Sequence, residues 1–114
     1  MNDRDVVLAP LPHATGQVKN RPAIVLREMP PYGDFLVCGV STQLRQEVAG
    51  FDDPIGPGDP DFLASGLKAP SIIRLGFLAV LPATGLLGAI GSISQERHER
   101  LLGRLSSHLQ TPST

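Results

Sequence analysis

Three short patches of this sequence carry side chains suited to holding or moving charge. The first is Lys19-Asn20-Arg21-Pro22, where a polar stretch enters an apolar run beginning at Ala23. A guanidinium fixed at such a junction presents a planar fork of donors that matches a phosphate, and Pro22 restricts the backbone behind it. The plainer alternative is an ordinary strand-end charge. The second patch is Ser41-Thr42-Gln43, three consecutive hydrogen-bonding side chains that close another apolar run. A hydroxyl beside a cation suits phosphoryl transfer, in which charge spread over the equatorial oxygens must be stabilised; the same residues could equally do no more than end a strand. The third is His13, whose imidazole, with an unperturbed pKa of ~6.5, titrates near neutrality, and which could also be a solvated loop residue.

The remaining reactive types read as structural. Cys38 lies in an apolar run and is expected in the core; alone it closes no intramolecular disulfide and holds no zinc. His98 and His108 are ten positions apart without a ligand partner at metal-binding spacing, so they are expected at the surface or rim and no metal site is indicated. Asp52, Asp53, Asp59 and Asp61 lack the residue order of a calcium loop and read as a solvated excursion. Phosphate-loop, dinucleotide-fold and nucleophile-elbow patterns are absent.

Arg21 and Ser41 become neighbours if the strands bearing them pair as a hairpin, since the start of one then lies beside the end of the other. Strands are expected at 21–27 and 35–41, joined by the breaker-rich turn 29–34, with Gly39 marking a bulge or a close backbone approach. A first strand at 5–8 is stopped by Pro10 and Pro12, and three more short strands fall at 71–75, 77–81 and 86–90, about six in all. Residues 44–66 form the longest loop, of a length that is usually functional or mobile. A C-terminal helix over 92–109 carries Ile93, Leu101, Leu102, Leu105 and Leu109 on one stripe that must pack on the sheet, with Ser92 or Ser94 as its cap.

Composition agrees with a mainly β fold and one C-terminal helix. The 114 residues suit one domain, 1–114, and 41% hydrophobic with 18% charged residues argues against disorder. Gly 12 and Pro 11 together make about one residue in five, which favours turns over long helices. The net charge of −1 excludes an overall basic field, yet outside the four loop aspartates the chain carries 10 basic against 7 acidic residues. A loop so acidic could lie over a basic groove. No apolar run approaches the ~20 residues of a membrane span and the first residues lack a signal-peptide core, so a cytoplasmic protein with no membrane partner is expected.

Five segments in order make the chain resemble the MazF/PemK family of toxin–antitoxin endoribonucleases: Asp5-Val6-Val7-Leu8, the run from Lys19 through Leu26, Val40-Ser41-Thr42-Gln43, the run from Gly66 through Ser71, and Ile90-Gly91-Ser92-Ile93-Ser94. The resemblance implies an SH3-like barrel or twisted antiparallel sheet of the MazF/PemK/CcdB type, assembled as a homodimer and neutralised by a cognate antitoxin. It also implies cleavage of single-stranded RNA, with no metal or other cofactor, to 2′,3′-cyclic phosphate and 5′-OH ends. The family's catalytic arginine falls on Arg21 and its Thr or Ser on Ser41; Lys19, Thr42, Gln43 and His13 then serve substrate binding, with His13 the candidate for proton transfer. Two positions depart from the family: Arg4 stands where a glycine is usual, and no acidic residue appears near Lys68. An aromatic content of 4% leaves few platforms for stacking bases. The competing readings are a CcdB-like growth inhibitor that binds a protein target, and a degenerate member that only binds antitoxin.

Overall fold

The computed structural model describes residues 1–12 and 15–113. In chain order the elements are β1 (Asp5–Pro12), β2 (Val18–Met29), β3 (Asp34–Ser41), β4 (Asp53–Ile55), α1 (Phe62–Ser65), β5 (Ser71–Leu81), β6 (Ala89–Ser92) and α2 (Gln95–Gln110), with single 3-10 turns at Leu44–Gln46 and Ala83–Gly85. All pairings are antiparallel, and the strands form one curled sheet in the order β4-β5-β3-β2-β1-β6. Mainly β with a C-terminal helix is therefore the observed architecture, and β2 and β3 form the expected hairpin.

Strand alternation divides the apolar side chains between two faces. Val6, Ile24, Leu26, Cys38, Val40, Ile73 and Leu75 make one cluster with Leu101 and Leu105 of α2. Val7, Ala9, Leu11, Ala23, Val25 and Val37 make the other, and this second face carries the candidate site at its end.

Several boundaries differ from expectation. Pro10 and Pro12 do not end β1, which continues paired to β2. Leu8 directs its N–H away from β2, to Gly88 O at 3.1 Å. By alternation Pro10 and Pro12 face that same outer side, beyond the last residue paired with β6, so their missing N–H groups cost no ladder bond. The runs 71–75 and 77–81 are one strand, because residues 75–77 bulge between the pairs Gly39↔Arg74 and Cys38↔Leu78 and carry the chain past Gly76. Gly39 is needed there: a Cβ would lie 3.1 Å from the Phe77 ring. The strand expected at 86–90 begins instead at Ala89, after the 3-10 turn. α2 starts at Gln95, with Ser94 Oγ accepting the Arg97 N–H at 3.1 Å, and Ser92 belongs to β6. His98 is buried, its Nε2–H donating to Leu26 O at 2.9 Å, which corrects its expected place at the surface.

The largest correction is the acidic segment. It is neither solvated nor structureless: Asp52, Asp53 and Asp61 are buried, and the segment contains β4 and α1. Arg97 holds Asp61 bidentately at 2.9 and 3.0 Å and Asp53 at 2.8 Å; Arg100 and Arg104 reach Asp53 at 3.0 and 3.3 Å. Buried carboxylates survive only when paired, and the partners sit 36 to 51 positions away, beyond the reach of local pattern. Asp53 and Asp61 face α2, and the Asp52 carboxylate accepts the Val48 and Leu75 N–H groups at 2.9 and 3.2 Å, so these carboxylates do not occupy a basic groove. Arg4 takes φ 78°, the left-handed conformation that a glycine adopts without strain, and its Nε donates to Ile93 O at 3.1 Å. That bond helps offset the strain of the departure noted in the sequence.

Candidate functional site

Ala23 faces Gly39 across the hairpin, and two residues further along each strand come Arg21 and Ser41, on the same face as that pair. By alternation Pro22 turns its backbone nitrogen toward β3; lacking an N–H it ends the ladder there, and the β2–β3 pairing begins at Ala23. The strands thus part just where Arg21 and Ser41 emerge. Both residues are half-buried and line a cleft of about 1110 Å³.

One wall of the cleft is the end of β3 with Thr42 and Gln43, both exposed. The Gln43 N–H donates to Ser41 Oγ at 3.0 Å, which fixes the hydroxyl as an acceptor on one side and leaves its own hydrogen to donate elsewhere. The segment from Gly66 to Ala69, including Lys68, forms another wall, and Leu11, Phe77 and Ile90 also line the cleft. Gly66 and Gly91 press backbone to backbone behind that wall: a Cβ on Gly91 would run into Ala64 O, and one on Gly66, at φ 75°, into Ile90 O. This contact sets how close α1 and the Lys68 segment come to β6.

Arg74 is the site residue that sequence reasoning missed. It lies opposite Gly39 on the face shared with Ser41, lines the cleft, and approaches Gln46 Oε1 with Nη1 at 3.4 Å. Its Nε is buried without a hydrogen-bond partner. A signal was present, since Ile72-Ile73-Arg74-Leu75 sets a charge inside an apolar strand; only the bulged register shows which way it faces. Lys68, noted in the sequence for a missing carboxylate beside it, is the third cation of the cleft.

Among the described lining residues none is acidic, and Arg21, Lys68 and Arg74 take part in none of the ion pairs among described residues. Lys19 is exposed two positions before Arg21, across from Leu11, and does not line the cleft. His13 lies outside the described residues. Cys38 is enclosed in the core, where burial pushes its thiol up to about 12, so it supplies no nucleophile. Among the described residues no group of three His, Cys, Asp or Glu side chains is placed to hold a metal ion, and no helix is long and apolar enough to cross a membrane. The arrangement supplies cations and one oriented hydroxyl to an anion entering from solvent.

A family model described as PemK-like, MazF-like toxin of type II toxin-antitoxin system matches residues 2–109. No curated protein matches the chain. Among solved structures the fold is similar to the Mycobacterium tuberculosis toxin MazF-mt6, with a TM-score of 0.67 and 21% identity over 96% of this chain and 100% of that one.

Proposed function

Starting from a chain that belongs to the PemK-like, MazF-like toxins of type II toxin–antitoxin systems, we propose that it cuts single-stranded RNA at short preferred sequences without a metal. The observation that carries this reading is the presence of Arg21 and Ser41 together in the lining of one cleft that holds three cations and no acidic residue among those described.

In the proposed reaction the substrate's own 2′-OH attacks the adjacent phosphorus while the P–O5′ bond breaks. The 2′-OH loses its proton, the 5′-oxygen gains one, and the products are a 2′,3′-cyclic phosphate and a 5′-OH. Arg21 offsets charge on the non-bridging oxygens of the phosphorane, and the Ser41 hydroxyl donates to one of those oxygens or holds the 2′-OH in line. Thr42 and Gln43, exposed at the mouth, contact the flanking bases, and Lys19 meets the strand outside the cleft. His13 is assigned to proton transfer on the resemblance alone. The whole chain, 1–114, then acts as one cytoplasmic toxin domain, a homodimer neutralised by its antitoxin.

The test is incubation of wild type, Arg21→Ala and Ser41→Ala with a long single-stranded RNA in EDTA, mapping the 5′ ends. Discrete 5′-OH ends from wild type, with cleavage reduced about 10²-fold or more in each folded variant, support the assignment. RNA left intact across many sequence contexts overturns it in favour of growth inhibition through a protein target.

A further inference from the structure

We propose that Asp52, which lies outside the cleft, is a positioning residue for it: the Asp52 carboxylate joins the turn that carries Gln46 to the strand that carries Arg74, and the spacing of those two parts of the lining depends on that joint. The proposal rests on the reading of the cleft as an RNA site. Asp52 is buried; its Oδ2 accepts the Val48 N–H at 2.9 Å and its Oδ1 the Leu75 N–H at 3.2 Å. Both ends bear on the cleft. Val48 follows the 3-10 turn Leu44–Gln46, which is bonded back to the end of β3: the Gln46 N–H donates to Gln43 O at 3.0 Å, and the Gln43 N–H to Ser41 Oγ at 3.0 Å. Leu75 follows Arg74 and opens the bulge that turns Arg74 into the cleft.

The β4 ladder stops at Asp53↔Ile73. Two residues further along β5, the Leu75 N–H meets the Asp52 side chain where a longer β4 would supply a backbone carbonyl. Gln46 Oε1 and Arg74 Nη1, 3.4 Å apart, complete a ring of contacts that runs from Ser41 through the turn and Asp52 to β5. The residue type is suited to the task. An ionised carboxylate only accepts, so it serves two N–H donors at once, whereas an asparagine offers one oxygen and sets its NH2 against the other donor. Asp53 and Asp61 are held by arginines of α2, but Asp52 takes part in none of the ion pairs among the described residues, and Arg104 Nη1 donates to its backbone carbonyl instead, at 2.8 Å. A carboxylate buried on two amides without a cation is costly. What it achieves here is to fix to β5 a turn that no ladder reaches.

The experiment is a double-mutant cycle on binding of a mixed-sequence 2′-O-methyl RNA oligonucleotide, followed by fluorescence anisotropy. Such a strand cannot undergo 2′-OH attack, so its binding is independent of whether the protein cleaves. Asp52→Asn is expected to weaken binding about fivefold in the wild-type background and less than about twofold in a Gln46→Ala/Arg74→Gln background, because the joint acts through those two side chains. Amplitude separates this from a folding defect: molecules that fail to fold lower the amplitude of binding and leave the affinity of the rest as it was. Hydrogen exchange of the unmodified protein gives a second reading that needs no variant. The Val48 and Leu75 amides are expected to exchange about threefold more slowly or better when the oligonucleotide binds, since a strand spanning both parts of the lining holds the joint closed. An unchanged affinity in Asp52→Asn, or the same loss in both backgrounds, overturns the proposal, and so do exchange rates at the two amides that ignore the RNA. Wild type that binds no RNA removes the reading of the cleft and this proposal with it; wild type that binds, beside an Asp52→Asn variant that binds equally well, removes the proposal alone.

Discussion

Ser41 is held as an acceptor by the Gln43 amide and keeps one hydrogen to give away, a geometry that a threonine shares and an alanine lacks. Ser41→Thr is therefore expected to retain RNA cleavage within a few fold while Ser41→Ala loses about 10², read from initial rates on one mapped site. Cys38 sits at the other extreme. Burial pushes its thiol up to about 12, so the native protein should resist a thiol-specific disulfide reagent at pH 8 and react promptly once unfolded. Fast reaction of the folded protein would show that the strand around Cys38 opens readily. Arg21 and Ser41 could both be singled out from residue type and position at strand ends, but Arg74 could not, because a three-residue bulge decides which face it joins.

At the level of elements, α2 is fastened to the β4–α1 segment by charge as well as by its leucines. Arg97, hydrogen-bonded to Asp61, holds that carboxyl down to about 2, against 3.8 for an ordinary one, despite the opposing effect of desolvation. A folded-state pKa below the unfolded value stabilises the protein above pH 3.8 and stops doing so as pH falls through about 2. That contribution is on the order of 2 kcal/mol at neutral pH. Asp61→Asn should lower stability by about that much or more at pH 7 and remove this part of the acid dependence between pH 4 and 2, measured by denaturant melts; parallel pH profiles for the two proteins would sink the assignment. Gly91→Ala should cost about 3 kcal/mol or more, since the added methyl meets the backbone of Ala64 and Ser65 rather than a movable side chain. A melting temperature equal to wild type would mean that α1 is free to move away.

For the molecule as a whole, the net charge of −1 conceals a division of labour. The acidic segment neutralises the arginines of α2, and the cations of the cleft are left without carboxylates among its described lining residues. The protein should accordingly bind single-stranded RNA with a log–log salt slope near −2, about 0.7 for each of Arg21, Lys68 and Arg74, despite its slightly acidic total. A slope close to zero would show that these side chains do not meet phosphates. Deleting residues 52–61, which would uncover a groove if the segment lay over one, is expected instead to unfold the chain, because it strands Arg97 in the interior.

Local chemistry was enough to determine the hairpin and the C-terminal helix and to mark Arg21 and Ser41 as candidates, with their roles implied only by the family resemblance. Turn residues, alternation and the leucine stripe act over a few positions, and two adjacent strands joined by a short turn have little freedom in how they pair. What the tertiary structure alone decided depends on contacts between distant segments: the burial of Asp53 and Asp61 against α2, the inward turn of His98 to Leu26, and the placement of Arg74 in the cleft. A buried charge looks like a solvated one until its partner is brought to it, and that partner is chosen by how the sheet curls and where its bulges fall.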